Sequence, residues 1–226
     1  MRTQHAVIRL LPLEVFFLGG LALGWTLFRL EEPLWAEAPP ALAGPVTSQA
    51  EAGEAAALPG AGLAPVFTAE VQHWSAEIQR WAGAFSLDPN LVATVMQIES
   101  CGWPQAVSAS GAQGLFQVMP FHFAVGEAMQ DPDTNAGRGL AYLALGLQRA
   151  GGDVGRALAG YNGGHSQIGK DPSLWPAQTQ RYWYWGSGIY AEAAAGQPTS
   201  GRLEEWLASG GASLCAHARQ ALGLAP

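Results

Sequence analysis

The chain has 226 residues and a formal net charge of −7, room for one ordinary domain with accessories. Its 11 basic against 18 acidic side chains exclude a nucleic-acid partner, because phosphate binding needs clustered Lys and Arg. Two cysteines without CxxC spacing, and His5, His73, His122, His165 and His217 scattered far apart, provide no metal-ligand set. No metal or other cofactor is expected.

Arg2 and Arg9 precede a nearly unbroken apolar run from Leu10 to Leu30, interrupted by Glu14 and Arg29. At about 1.5 Å per residue, roughly 20 helical residues cross a hydrocarbon core of about 30 Å. Residues 1–30 therefore read as a signal anchor that crosses the cytoplasmic membrane through residues 10–30. Basic residues before it and Glu31, Glu32 and Glu37 behind it place the N-terminus inside. A cleaved signal peptide is the rival, since Ala36-Glu37-Ala38 and Ala41-Leu42-Ala43 fit a small-x-small site. Pro39 follows the first, and the second lies well beyond the apolar run. Both readings export the rest of the chain to the periplasmic or cell-wall side.

Residues 31–66 are rich in Ala, Pro, Gly and Glu, cannot bury enough apolar surface to offset chain entropy, and read as a flexible linker. A folded domain is expected over 67–195, followed by a helical C-terminal extension over 196–226. Thr68 reads as an N-cap, with Val71, Trp74, Ile78, Trp81 and Phe85 on one helical face. Asp88-Pro89 opens a second helix through Leu91, Val92, Val95, Met96 and Ile98, ending near Glu99. A short helix is expected over Phe121–Met129. Asp131-Pro132 starts another, stopped by Gly151-Gly152. Asp153 caps the next, which Asn162-Gly163-Gly164 ends. An aromatic helix over Tyr182–Tyr190 and two short helices near Leu203–Ala208 and Ala212–Leu222 complete the chain. No run alternates with period two, so the fold class is all-α.

Chemistry concentrates in QIESCGWPQAVSASGAQGLFQVMP, Gln97 to Pro120. Glu99 closes a buried helix, and both desolvation and the helix C-terminus disfavour its charge. A carboxyl kept protonated near neutral pH is what donating a proton to a glycosidic oxygen requires. A two-carboxylate glycosidase needs a second acid about 5–9.5 Å away, and nothing from Ser100 to Gln117 supplies one. Ser108, Ser110, Gln113 and Gln117 orient sugar groups but are not ionised nucleophiles. A lone acid suits chemistry in which the substrate's own acetamido or hydroxyl group does the second carboxylate's work.

These residues resemble the catalytic core of the soluble-type (SLT) lytic transglycosylases of the lysozyme-like superfamily. The resemblance rests on Glu99-Ser100, Ser108, Gly114–Pro120, Gly160-Tyr161-Asn162-Gly163-Gly164 and Thr179-Gln180-Arg181-Tyr182, with Asp131–Leu143 resembling the helix before the Tyr-Asn block. It covers about residues 85–190. It implies a lysozyme-like helical domain acting on peptidoglycan glycan strands at the MurNAc-GlcNAc β-1,4 bond. Glu99 would first protonate the leaving oxygen. It would then deprotonate the muramic 6-hydroxyl, which closes a 1,6-anhydro ring without water.

Ser108, Gln117 and Asn162 would bind acetamido groups and glycan, Met119 and Tyr161 would wall the subsites, and Tyr182 would hold or tune Glu99. Ser100 reads as a helix-end hydrogen bonder. Phe116 stands where Met is usual, and Gly160 and Gly163 where alanines are. The even cysteine count of an exported chain suggests a Cys101–Cys215 disulfide tying the C-terminal helix behind the active-site helix. A goose-type lysozyme-like hydrolase, or a non-catalytic glycan-binding scaffold, are the alternatives. A monomer is assumed.

Overall fold

The computed structural model describes residues 62–225; the expected anchor, and the linker as far as residue 61, lie outside them. Among the described residues eight α-helices carry the fold: α1 (Ala69–Gln72), α2 (Ser75–Phe85), α3 (Pro89–Glu99), α4 (Pro132–Arg149), α5 (Val154–Gly163), α6 (Ala177–Ala194), α7 (Gly201–Trp206) and α8 (Ala212–Leu222). Among the described residues there are no strands, only two isolated antiparallel bridges, Val107 with Gln113 and Gln113 with Val118. The all-helical expectation holds. No described helix is long and apolar enough to cross a membrane.

α3 is the centre. Every residue from Leu91 to Gln97 is buried, so this helix is packed on all sides rather than along one stripe. Its start follows the expected chemistry: the Asp88 carboxylate accepts from the Asn90 amide at 2.8 Å, with Pro89 in the first turn. α1, α2 and α6 pack against it, and α4 and α5 close the domain through Leu140, Leu143 and Leu158. Asp131 and Asp153 cap α4 and α5 by accepting from Thr134 and Arg156 amides. Packed chain begins ahead of Phe67, since Leu63, Ala64 and Val66 are already buried and the Ala64 amide donates to Asn90 Oδ1 at 2.9 Å.

Two sequence expectations change. The single helix read from Thr68 to Phe85 breaks at His73-Trp74 into α1 and α2. There the Trp74 indole donates to Gly102 O at 2.9 Å and stacks on Trp81, which redirects the chain around the end of α3. Thr68 precedes α1 without a side-chain capping bond; its hydroxyl donates to Gln97 Oε1 instead. The helix read over Phe121–Met129 is only the 3-10 turn Pro120–His122. Beyond it the chain stays irregular, with Glu127 turned back to accept from the Ala124 amide and to pair with Arg138 at 2.6 Å.

The C-terminal extension packs on the domain. Leu203 and Trp206 are buried, and Gly210, at φ 123°, bends the chain between α7 and α8. Cys215 on α8 is bonded to Cys101, just past α3, with Cα atoms 5.1 Å apart. Gln97 Nε2 donates to Cys101 Sγ at 3.1 Å, and Arg219 pairs with the buried Glu70 at 2.6 Å. The expected disulfide is present.

The segment from Cys101 to Met119 has little regular structure, and Asn135 and Ser100 are among the side chains that hold it. Asn135, fully buried on α4, accepts from the Phe116 amide and donates to Gln113 O and Met129 O, each at 2.8 Å. Gly114, at φ 73°, passes so close to Asn135 that a Cβ would sit 2.5 Å from its Nδ2. Ser100 Oγ donates to Leu115 O at 2.7 Å, joining the end of α3 to the same loop. Asn135→Ala leaves the buried Phe116 amide without its acceptor and removes a donor from Gln113 O and Met129 O, so chemical denaturation should show a loss of about 1–3 kcal/mol. Reduction of Cys101–Cys215, which closes a sequence separation of 114, should lower the melting temperature. The chain-entropy ceiling for such a loop is about 5 kcal/mol. A titration detecting free thiols before reduction would refute the pairing.

Candidate active site

Glu99 is the last residue of α3, half-buried where that helix meets the loop and α6. Desolvation raises its carboxyl to about 8, well above the ordinary 4.5. The Tyr182 hydroxyl opposes this by interacting with the charged form. That hydroxyl is buried and lacks a partner at normal hydrogen-bond geometry, so it faces Glu99 loosely and desolvation wins. Burial also raises the Tyr161 and Tyr182 phenols well above 10, with the Glu99 charge the next cause for both. Glu99 thus sits within electrostatic reach of two neutral phenols. No other carboxylate is among the groups that shift it.

The nearby acids in sequence are committed elsewhere. Glu127 is held below the usual carboxylate range by Arg138, and Asp133 by Arg80 and Trp81, while Asp131 caps α4. One group of potential metal ligands comes together among the described residues: Glu70, Cys101 and Cys215. It is closed, the sulfurs bonded to each other and the carboxylate to Arg219.

A cavity of about 160 Å³ opens beside this centre, lined by Gln117, Met119, Tyr161 and Asn162 among others. Glu99 does not line it; Tyr161 is the link between the two. The Tyr161 hydroxyl donates to Phe116 O at 2.7 Å, which fixes its ring between α4 and the loop. Gly139 makes this possible, because a Cβ there would lie 2.7 Å from Phe116 Cβ and 3.0 Å from the Tyr161 hydroxyl. Asn162 Oδ1 accepts from the Thr179 hydroxyl at 3.1 Å, leaving Nδ2 as its free donor. Gly163 allows that approach, since a Cβ would meet Thr179 Oγ1 at 2.6 Å.

Gln117 has the left-handed backbone φ of 46°, uncommon for a residue with a side chain. Its Nε2 donates to Ala106 O and Gly114 O, so Oε1 is the atom left for a ligand. The site can therefore present one protonated carboxyl, one amide donor and one amide acceptor.

Of the residues read from sequence, Gln117, Met119, Tyr161 and Asn162 meet at the cavity, and Tyr182 stands with Glu99. Ser108 is apart from the cavity lining; its Oγ accepts from the Ala112 amide at 3.0 Å and shapes a turn. Ser100 is buried and spends its proton on Leu115 O, a structural role. Phe121, His122 and Tyr142 also line the cavity and went unread. Tyr142 lies on α4 between the buried Leu140 and Leu143, where nothing in its sequence context marks it apart from the core.

A family model described as "Transglycosylase SLT domain" matches residues 76–183. A protein of Enterobacteria phage PRD1 described as "Transglycosylase" is 39% identical over 114 residues, 48% of this chain and 40% of that protein. The chain thus spans about two fifths of that relative's length. The match runs from α2 into α6 and contains Glu99, the Asn135-stapled loop, the cavity and Tyr182. Residues 76–183 of this chain are thus similar to a transglycosylase SLT domain.

Proposed function

We propose that this domain is a peptidoglycan lytic transglycosylase that uses Glu99 as its single acid and base and leaves 1,6-anhydro-MurNAc ends. The observation that carries the reading is the Glu99 carboxyl, raised to about 8 by desolvation with no second carboxylate perturbing it. At neutral pH such a group holds a proton that it can give to the glycosidic oxygen between MurNAc and GlcNAc. The carboxylate that results then accepts the proton of the muramic 6-hydroxyl as its oxygen bonds to the anomeric carbon. One C–O bond breaks and one forms, the proton returns to Glu99, and no water is consumed.

The amide groups of Gln117 and Asn162 are the binding elements we assign to the strand, with Met119 and Tyr161 as walls and Ser108 as a more distant contact. The apolar run at 10–30 and the Cys101–Cys215 disulfide support an enzyme held on the membrane and working outside the cytoplasm. An exported domain meets peptidoglycan there.

Mass spectrometry of products from purified glycan strands tests the chemistry. Anhydro ends one water lighter than hydrolytic ends are expected; hydrated reducing ends as the sole product would mean a lysozyme-like hydrolase. Glu99→Gln should lower kcat by at least about 100-fold, since it removes the proton donor and acceptor together. Unchanged turnover would leave only a glycan-binding scaffold.

The raised pKa also has a sign. Between about 4.5 and 8 the folded state binds more protons at Glu99 than the unfolded chain, so stability falls as pH rises through that window. Activity that needs the acid form should fall above pH of about 8. Glu99→Gln should flatten this part of the stability profile and gain a few kcal/mol over the wild type at the alkaline end. Parallel stability profiles for the two proteins would show that Glu99 is not desolvated.

A further inference from the structure

We propose that Phe121, backed by His122 and Tyr142, is a stacking platform for a further sugar ring of the bound strand, a neutral amino sugar adjoining the segment cleaved at Glu99. This rests on the glycan-strand reading above and assigns part of its length preference to three residues outside the catalytic set.

Phe121 is 70% exposed, and one exposed ring needs no explanation on a protein surface. Its position does. Phe121 and His122 line the same cavity as Gln117, Met119 and Asn162, and they begin a continuous run of rings. Phe121 lies 4.5 Å from His122 between centroids, and His122 lies 4.9 Å from Tyr142. Tyr142 in turn stacks on His165 at 3.9 Å, nearly parallel at 8°. Arg149 can only donate, so its contact with His165 Nδ1 leaves the proton on Nε2, which donates to Tyr142 O at 3.1 Å. The far end of the run is thereby pinned to α4, and the near end is fixed by Pro120 in the 3-10 turn. This wall is built, while its outer ring stays bare.

The lining of the cavity identifies the ligand. It contains no Lys, Arg, Asp or Glu, and burial pushes its single histidine, His122, towards the neutral form. An ionised peptide stem or a lactyl carboxylate finds no counter-charge there. A hexosamine ring without a carboxylate offers C–H groups on its face for Phe121 and polar edge groups for Asn162 Nδ2 and Gln117 Oε1. Since the cavity excludes Glu99 and shares Tyr161 with it, the ring held there adjoins the cleavage point rather than occupying it.

The test is steady-state kinetics of the full chain on short and long defined glycan strands, comparing wild type with Phe121→Ala and Phe121→Trp. Phe121→Ala should raise KM for long strands roughly five- to tenfold, the effect of one well-placed ring contact, with kcat unchanged. Short strands that end before the platform should be unaffected, and Phe121→Trp should retain the long-strand KM. Val125→Ser, on a fully exposed side chain absent from the cavity lining, is the control and should match wild type. An equal effect of Phe121→Ala on short and long strands, or none on either, overturns the platform. Product mass, read in the same samples, reports separately on the transglycosylase chemistry. Hydrated products with an intact length effect would reject that chemistry and leave the platform standing.

Discussion

The burial of α3 on every side is the constraint on which the rest depends. A helix with one apolar stripe can end in solvent, but α3 is packed from Leu91 to Gln97 and brings Glu99 to the edge of the core as its last residue. Desolvation of that carboxyl follows from where the helix stops, without any special device around it. The polar groups on α3 that cannot reach water are met from outside: Gln97 by Thr68 and Cys101, and Ser100 by Leu115 O. Those contacts fix the direction in which the chain leaves α3, and with it the mouth of the site. The disulfide to α8 acts at the same place, so the C-terminal extension braces the helix end that carries the acid.

The loop opposite Glu99 is positioned by a different principle. Its own backbone closes only turns and two short bridges, among them Gly114 N to Ala106 O and the Gln113–Val118 pair, and the buried groups these leave open need partners from outside. Asn135 meets two of its groups, Phe116 N and Gln113 O, and Tyr161 a third at Phe116 O, while Asn135 also holds Met129 O beyond the loop. Both depend on glycines, Gly114 beside Asn135 and Gly139 beside Tyr161, where a methyl group would clash. The same contacts that order the loop therefore present Gln117 and Met119 to the cavity. Folding and site geometry are one set of interactions here.

Much of this was legible in the sequence because it is local. Asp88-Pro89, Asp131-Pro132 and Asp153 are caps whose partners lie two or three residues away, and each forms as read. The buried helix ending in Glu99 follows from its apolar run. What escaped reading is set by distant contacts. The break at His73-Trp74 depends on Gly102, a residue just past the end of α3 and distant in the chain. The irregular path after the turn at Pro120–His122 goes with Arg138 holding Glu127, a contact that the expectation of a short helix there could not include. Asn135 carries no periodic signal, and its role exists only once α4 and the loop have met. The aromatic wall was hidden for the same reason, since Phe121, Tyr142 and His165 lie far apart in the chain and His122 alone looks ordinary.

The arrangement around Glu99 also explains why two tyrosines rather than a second carboxylate stand beside it. A carboxylate within a few ångströms would share a proton with Glu99 and split the pair into two titrations, one of them well below neutrality. Phenols raised far above 10 stay neutral across the range in which Glu99 titrates, so they leave its proton affinity governed by desolvation. Tyr182, with no other partner, remains free to donate when Glu99 becomes charged, whereas Tyr161 has given its proton to Phe116 O and acts as a wall. One phenol can respond to the charge that develops on the acid, and the other holds the shape of the cleft while it does so.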